Sequence, residues 1–101
     1  MNTVHCKRIE ILVDAPLLPR LIDALERCGI GGHTVLPVLS GTGRTGHWRE
    51  DRLTGTSKLM VIAIASDEHA EKLVDMLAPL LDSHGLLLTI ASVDVVRGDR
   101  F

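Results

Sequence analysis

The sequence predicts an α+β domain in which strands and helices follow in the order β-α-β-β-α-β. Three observations predict it. Four short segments are strand-like, two further segments carry apolar residues at helical spacing, and a long polar stretch separates two similar halves. This is the order of the split βαβ or ferredoxin-like fold, a four-stranded antiparallel sheet with two helices on one face. A chain of 101 residues has room for one domain, so we expect residues 1–101 to form a single domain.

The first half of the chain supplies a strand, a helix and a second strand. Residues 7–14 alternate apolar and polar side chains, which predicts the first strand. Apolar residues at helical spacing between Pro16 and Gly29 predict a helix, because proline favours a first helical turn and glycine favours a helix end. Residues 33–39 predict the second strand. Since Pro37 has no N–H to donate, this strand is expected at a sheet edge or with a bulge.

The second half repeats the pattern. Residues 58–65 predict the third strand, and Ser66 is typical of the residue that caps a helix N-terminus. We expect Pro79 to end or kink that second helix, because it removes a helical donor and its ring crowds the preceding turn. Residues 86–96 are long enough for a fourth strand, with an irregularity expected near Ser92.

The third strand is apolar on both of its faces. Leu59, Val61 and Ala63 alternate with Met60 and Ile62. Two helices can cover only one face of the sheet, so the other face would leave a large apolar surface in water. We therefore predict a homo-oligomer in which copies of the chain bury that face.

A long polar loop is predicted over residues 40–57. Within it, residues 41–46 read GTGRTG and match the G-x-G-x-x-G string of dinucleotide-binding sites. That site needs a helix to begin where the string ends, and residues 47–56 have no helical apolar period, so a Rossmann site is rejected. Two interpretations stay open: the glycines only let the loop turn, or their N–H groups and Arg44 surround an anion.

Cations are concentrated in this loop and in the C-terminal tail. Solvated surface charge and phosphate recognition are both consistent with this pattern, since guanidinium groups bind phosphate through paired hydrogen bonds. Trp48, the single tryptophan, lies among these charges, as is typical of a residue that contacts a partner or a flat ligand. The cations are Arg44, Arg49, Arg52, Lys58, Arg97 and Arg100.

Composition argues against several classes of protein. The formal charge is −2, so no overall basic field is available to hold nucleic acid. No apolar run approaches the roughly 20 residues of a membrane-spanning helix. Two cysteines and no signal-peptide pattern predict free thiols and a cytoplasmic location. No metal-ligand spacing is present, and no catalytic nucleophile and base can be placed together, although His47 lies near Asp51 and Ser57 in the sequence.

Two strings support a family resemblance. The string GIGGHTV at residues 29–35 and the pattern G-x-G-R-x-x-H at residues 41–47 resemble the second strand and T-loop of the PII signalling superfamily, specifically its PII-like members. Arg97 and Arg100 fall where that family carries arginines in its C-terminal loop. The stretch TVLPVLSGTGR together with GHWREDRLTGTSK is most similar to the carboxysome-associated PII-like proteins. The resemblance covers essentially the whole chain.

The resemblance implies a homotrimer with its sheets facing inward and an adenine nucleotide in each cleft between subunits. It implies sensing rather than catalysis, with residues 40–57 as a T-loop that a ligand orders. In the carboxysome-associated branch, the implied ligands are ADP or AMP together with bicarbonate. The protein would then act on inorganic-carbon uptake or fixation through an unidentified partner, a carbon transporter or a carboxysome-related protein.

The resemblance also implies which residues bind the ligand. Thr34 and the turn from Gly41 to Arg44 would border the nucleotide, and Arg97 and Arg100 would reach its phosphates. The expected set also includes Lys58, the cation that follows the loop, and it contains no catalytic or metal-binding residue. Its members are Thr34, Gly41, Thr42, Gly43, Arg44, Lys58, Arg97 and Arg100. Residues 82–85 depart from the family, which has a Gly-rich, Lys-containing loop there. Fewer phosphate donors favour a mono- or diphosphate over a triphosphate.

Two other functions share the same order of elements. An ACT-like regulatory module would bind an amino acid at a subunit interface and would not need Arg44, Arg97 or Arg100. A small dimeric enzyme of the same fold would turn over its nucleotide. The chain contains no tyrosine, so the tyrosyl nucleotidylation of some PII proteins is excluded.

Overall fold

The computed structural model describes residues 2–43, 46–49 and 57–96. A short 3-10 helix, Ala15–Leu17, joins the first strand to the first α-helix. Neither α-helix in these ranges has the length and apolar content that a membrane crossing requires. In chain order the elements are β1 (Thr3–Asp14), α1 (Leu18–Arg27), β2 (His33–Val38), β3 (Ser40–Gly43), β4 (Gly46–Arg49), β5 (Lys58–Ala65), α2 (Asp67–Ser83) and β6 (Leu87–Val96).

Four strands form one antiparallel sheet in the order β2-β5-β1-β6, and α1 and α2 pack against one of its faces. This confirms the predicted ferredoxin-like fold, with β5 and β6 as the third and fourth predicted strands. The prediction for β2 is also confirmed, because it lies at a sheet edge with Pro37 opposite Leu59. An edge position tolerates a residue that lacks a backbone donor.

A separate hairpin interrupts the polar segment after β2. β3 pairs with β4 from Ser40 opposite Arg49 to Gly43 opposite Gly46, and two residues separate the strands. The long polar segment predicted between the second and third strands of the sheet therefore contains a short hairpin that the sequence did not reveal. An apolar period could not reveal it because its residues are mostly glycine and polar. The hairpin also confirms that the string GTGRTG does not lead into a helix.

The core is built from aliphatic side chains between the helices and one face of the sheet. Ile9, Ile11 and Val13 of β1 lie on this face and are essentially inaccessible to solvent. The partly buried side chains at the core margin are also aliphatic. The remaining large, fully buried members of this cluster are Leu21, Leu25, Val61, Leu73 and Leu77.

The start of α2 and the end of α1 are those that the sequence predicts. The Ser66 Oγ accepts a hydrogen bond from the backbone N–H of His69 at 3.2 Å, which satisfies one free donor at the start of α2. After α1, the N–H groups of Gly29 and Ile30 donate to the carbonyls of Glu26 and Leu25, at 3.0 and 2.9 Å. This is the Schellman arrangement, and it requires the φ of +78° that Gly29 adopts.

Pro79 lies inside α2, which continues to Ser83. Of the two alternatives expected there, an end of the helix is excluded, because Leu77 and Leu80 on either side of Pro79 pack on the core. That packing offsets the lost hydrogen bond. β6 shows no irregularity at Ser92, since its register with β1 is unbroken. Ser92 breaks the apolar pattern because its hydroxyl accepts a hydrogen bond from Lys7 Nζ at 2.8 Å.

No helix covers the second face of the sheet, which we call the open face. By strand alternation and register it contains apolar residues from all four strands, and Leu36 and Leu87 are 43% and 58% exposed there. β5 is apolar on both sides, as the sequence predicts. The apolar residues of the open face are Val4, Cys6, Leu12, Leu36, Val38, Met60, Ile62, Ile64, Leu87, Ala91, Val93 and Val95.

We expect Gly29→Ala to lower the free energy of unfolding more than Gly85→Ala does. Both glycines have positive φ, so each alanine strains the backbone by about 1 to 2 kcal/mol. At Gly29 the added Cβ would also lie 3.2 Å from Cε1 of His69, whereas at Gly85 it would meet nothing within 4 Å. Urea denaturation measures both variants. When His69→Ala is also present, Gly29→Ala should lower the free energy of unfolding no more than Gly85→Ala does. If Gly29→Ala lowers it by the same amount with and without the His69 side chain, this explanation is contradicted.

The free energy of unfolding should also depend on pH through one buried thiol of the core. Burial raises the pKa of the Cys28 thiol, and the Lys72 ammonium lowers it by less. A raised pKa in the folded state means that the neutral thiol stabilises the fold fully below the ordinary thiol pKa. The contribution is lost as the pH rises through the folded value. The stability advantage of the wild type over Cys28→Ala should therefore shrink above about pH 9 in urea denaturation. A constant difference up to about pH 10.5 would contradict it.

Candidate functional site

The predicted ligand-binding residues that the structure describes lie along β2, the hairpin and the start of β5. Thr34 is on the open face of β2, opposite Ile62. Lys58 stands opposite Val38 at the other end of β2, four residues away. At about 3.3 Å per residue this separation is about 13 Å. The structure thus places Lys58 beside the root of the hairpin and Thr34 nearer the opposite end of the sheet.

Lys58 is held at the base of the loop. Its Nζ lies 2.7 Å from Oδ1 of Asp14, and its side chain is only 26% exposed. Next to this pair, the N–H of Ala15 donates to the carbonyl of Ser57 at 2.9 Å. The ammonium group is therefore fixed where the chain returns from the loop into the sheet. A phosphate that approached Lys58 would compete with the Asp14 carboxylate.

The glycines of β3 lie along the hairpin, from its second residue to the last one before the turn. Gly41 and Gly43 stand opposite Trp48 and Gly46, and Thr42 stands opposite His47. A Cβ added at Gly43 would meet nothing within 4 Å, so the backbone there adjoins open space. Both interpretations of the glycine-rich string therefore stay open.

The predicted arginines are not among the described residues. Arg44 follows the last residue of β3, and Arg97 follows the last residue of β6. Arg44, Arg97 and Arg100 lie outside the described ranges, as does the side chain of Trp48. Their roles therefore stay predictions.

The two ends of the sheet are far apart within one chain. Lys58 stands opposite Asp14, the last residue of β1, whereas Val96 stands opposite Thr3, its first residue. This span of about eleven residues of extended chain corresponds to about 36 Å. The start of the C-terminal tail is therefore remote from the hairpin root of the same chain.

A cavity that the sequence analysis missed lies near Thr34. It has a volume of about 260 Å³ and lies between the segment 29–32 and the start of α2. Ile64 and Ala65 supply apolar walls, and Ser66 and His69 supply polar ones. The run of glycines before β2 was the available signal, but it was interpreted as the end of a helix and as part of the family resemblance, not as the wall of a cavity.

A larger cavity is poorly suited to a phosphate ligand. It has a volume of about 560 Å³ and lies between α2 and β6. Three carboxylates line it, from Asp67, Glu71 and Asp75, against the single ammonium of Lys7. Carboxylates repel phosphate groups, so size alone does not identify the nucleotide site.

Within the described ranges no group of three or more histidine, cysteine, aspartate or glutamate side chains could hold a metal ion. Cys6 and Cys28 are free and buried. The sequence neighbours His47 and Asp51 were considered above together with Ser57. The His47 side chain and the whole of Asp51 lie outside the described part of the chain.

Comparison with known proteins identifies the family. The model of nitrogen regulatory protein P-II matches residues 6–100. No curated protein matches the sequence. A solved structure of CPII from Thiomonas intermedia K12, a nitrogen regulatory PII-like protein bound to ADP, AMP and bicarbonate, has a TM-score of 0.90 at 24% identity and covers 99% of this chain and 96% of its own.

Two further structures agree with this fold. CPII bound to ADP and bicarbonate, from the same organism, has a TM-score of 0.87 at 26% identity, and the match covers 99% of this chain and 97% of that one. A PII-like signalling protein from Thermus thermophilus has a TM-score of 0.83 at 24% identity, with 100% and 98% covered. The fold and the family match agree over nearly the whole sequence, and the chain is a PII-like regulatory protein that belongs to the nitrogen regulatory protein P-II family.

Proposed function

We propose that this chain is a non-enzymatic sensor that binds ADP or AMP, together with bicarbonate, in clefts between the subunits of a homotrimer. The family match supports regulation as its role. The structure of CPII bound to ADP and bicarbonate, 26% identical to this chain, supports the choice of ligands. The bicarbonate response would link the protein to inorganic-carbon uptake or fixation through a downstream partner.

One observation supports a site between subunits: the predicted ligand-binding residues lie far apart along the sheet of one chain. The hairpin root and Lys58 lie about 36 Å from Val96 of the same chain, as measured along the β1 register. A single nucleotide cannot contact both in one copy. We therefore place the ligand where Gly41 to Arg44 and Lys58 of one copy meet Arg97 and Arg100 of a neighbouring copy.

The orientation of the nucleotide follows from the same geometry. Cations and backbone N–H groups suit phosphates, so the phosphates are assigned to β3 and Lys58. Thr34 lies about 13 Å away along the open face of β2, on the side of the cavity at residues 29–32. The base of the nucleotide is assigned to that side.

The assembly follows from the open face. Two ion pairs are the charged groups on this face within the described part of the chain, and the remainder is mostly aliphatic. Such a surface is too apolar to remain in water. Burial of three copies of this face against one another removes it from solvent. The hairpin, which lies at the margin of the face, would then transmit ligand binding to a partner through a change in its order.

We expect purified protein to bind ADP or AMP more tightly when bicarbonate is present, as measured by isothermal titration calorimetry. The coupling is reciprocal, so nucleotide should strengthen bicarbonate binding by the same factor. Each of Arg44→Ala, Arg97→Ala and Arg100→Ala should weaken nucleotide binding by about 1 to 3 kcal/mol, because a charge-assisted hydrogen bond to phosphate is lost.

The matched control is Arg27→Ala, an exposed arginine on α1 that pairs with Asp23, and it should leave the affinity unchanged. Unaltered affinity in all three site variants would contradict the residue assignment. Absence of any nucleotide heat would remove the proposed function. Release of phosphate or adenine by the pure protein would show an enzyme.

The open face predicts a second difference between matched variants. Leu36 on β2 and Met76 on α2 are 43% and 42% exposed in the single chain, but only Leu36 lies on the open face. Leu36→Glu should dissociate the trimer, because it places an unpaired carboxylate in the interface. Met76→Glu should leave the mass unchanged. Native mass spectrometry distinguishes the two, and a trimer that survives Leu36→Glu would argue against this interface.

A further inference from the structure

An incomplete ion pair lies on β1 among the apolar residues of the open face. Nε of Arg8 lies 3.1 Å from Oε1 of Glu10, and the two side chains are 43% and 39% exposed in the single chain. Arg8 stands between Ile64 and Ala91 of the neighbouring strands. Glu10 stands between Ile62 and Thr89. The pair is therefore bordered by mainly apolar side chains on both flanks.

One hydrogen bond leaves most of the bonding capacity of this pair unused. The guanidinium group has five N–H donors, and the carboxylate has two acceptor oxygens. In the described part of the chain, Arg8 and Glu10 have each other as partners and contact no further charged side chain. Water satisfies the remaining groups in a single copy, but water is excluded once the open face is covered. A buried charge is costly unless additional hydrogen bonds replace its solvation.

The charges of the open face indicate where those hydrogen bonds come from. Within the described ranges this face holds two cations, Arg8 and Lys58, and two carboxylates, Glu10 and Asp14, so it has no net charge. A second copy of the chain presents the same set, so a carboxylate from another copy can complete Arg8. Asp14 already accepts a hydrogen bond from Lys58 at 2.7 Å, which leaves Glu10 of the other copy as the partner.

We infer that Arg8 of each copy pairs with Glu10 of the next copy, so that the assembly is closed by a ring of ion pairs between subunits. This inference rests on the trimer of the proposed function and adds the residues that align one copy with the next. Each copy contributes its arginine to one neighbour and its glutamate to the other. A head-to-tail contact of this kind produces a closed ring when the rotation between copies closes. Apolar contacts stabilise the assembly, and the charges fix its register.

Reversal of one charge tests the ring. Arg8→Glu and Glu10→Arg should each raise the dissociation constant of the assembly at least about a hundredfold, because each leaves like charges facing one another in a dry interface. The double variant with both reversals should recover the wild-type mass. The matched control is Arg27→Glu, which reverses an exposed arginine whose Nε lies 2.9 Å from Oδ2 of Asp23 on α1, and it should have no effect. Sedimentation equilibrium measures all four proteins, and circular dichroism confirms that each is folded.

Mixing separates pairing between copies from pairing within one copy. An equimolar mixture of the Arg8→Glu and Glu10→Arg chains should assemble better than either alone, because unlike copies present opposite charges to each other. If the pair acts only within a chain, mixing will change nothing, and that result overturns the inference. Single variants that keep the wild-type mass also overturn it. A wild type that is monomeric would instead contradict the trimer of the proposed function.

Discussion

The two helices of the chain can cover only one face of its four-stranded sheet, and the rest of the structure depends on this constraint. Two helices cover one face of four strands, while the central strand β5 is apolar on both of its faces. One face becomes a conventional aliphatic core. The other, carrying Met60, Ile62 and Ile64 at its centre, remains available for association. The proposed assembly would bury this second face, which the helices leave in contact with water.

Apart from the pair of Arg8 with Glu10, the polar groups of the candidate site lie at the margins of this apolar sheet. The hairpin root and the pair of Lys58 with Asp14 occupy one end. The glycine segment 29–32, His69 and the last residues of β6 occupy the other. This division explains why no single copy forms a convincing anion site in its described residues. Copies packed on their open faces can bring the opposite ends of different sheets together.

The sequence predicted the elements that depend on local chemistry. Pro37 indicated an edge strand, Ser66 a helix start and Gly29 a helix end, because each acts locally, through a missing N–H, a side-chain hydroxyl and a positive φ. Features that depend on distant partners were left open or missed. Pro79 stays inside α2 because of core packing, and Ser92 breaks the apolar pattern because of Lys7 across the sheet. Neither relation is visible in a local pattern.

The candidate site was predictable as a set of residues but not as an arrangement. Strings at residues 29–35 and 41–47 indicated the family, which the match over residues 6–100 shows. The order of elements alone is shared with ACT-like modules, so those strings carried the distinction. The distance between the hairpin root and the end of β6 depends on strand register, which the sequence does not state. For that reason the cavity near Thr34 also went unnoticed.

The pairing at the base of the loop has a consequence for how the chain can vary. Val38 and Lys58 are cross-strand partners, and the backbone bond from Ala15 to Ser57 lies beside them. The two ends of the intervening segment are thus held together by the sheet itself. Once a loop is closed at its base, each doubling of its length costs only about 0.6 kcal/mol of additional entropy. Insertions and deletions between Leu39 and Thr56 should therefore leave the four-stranded sheet intact, so this segment can diverge in length and sequence while the scaffold stays the same.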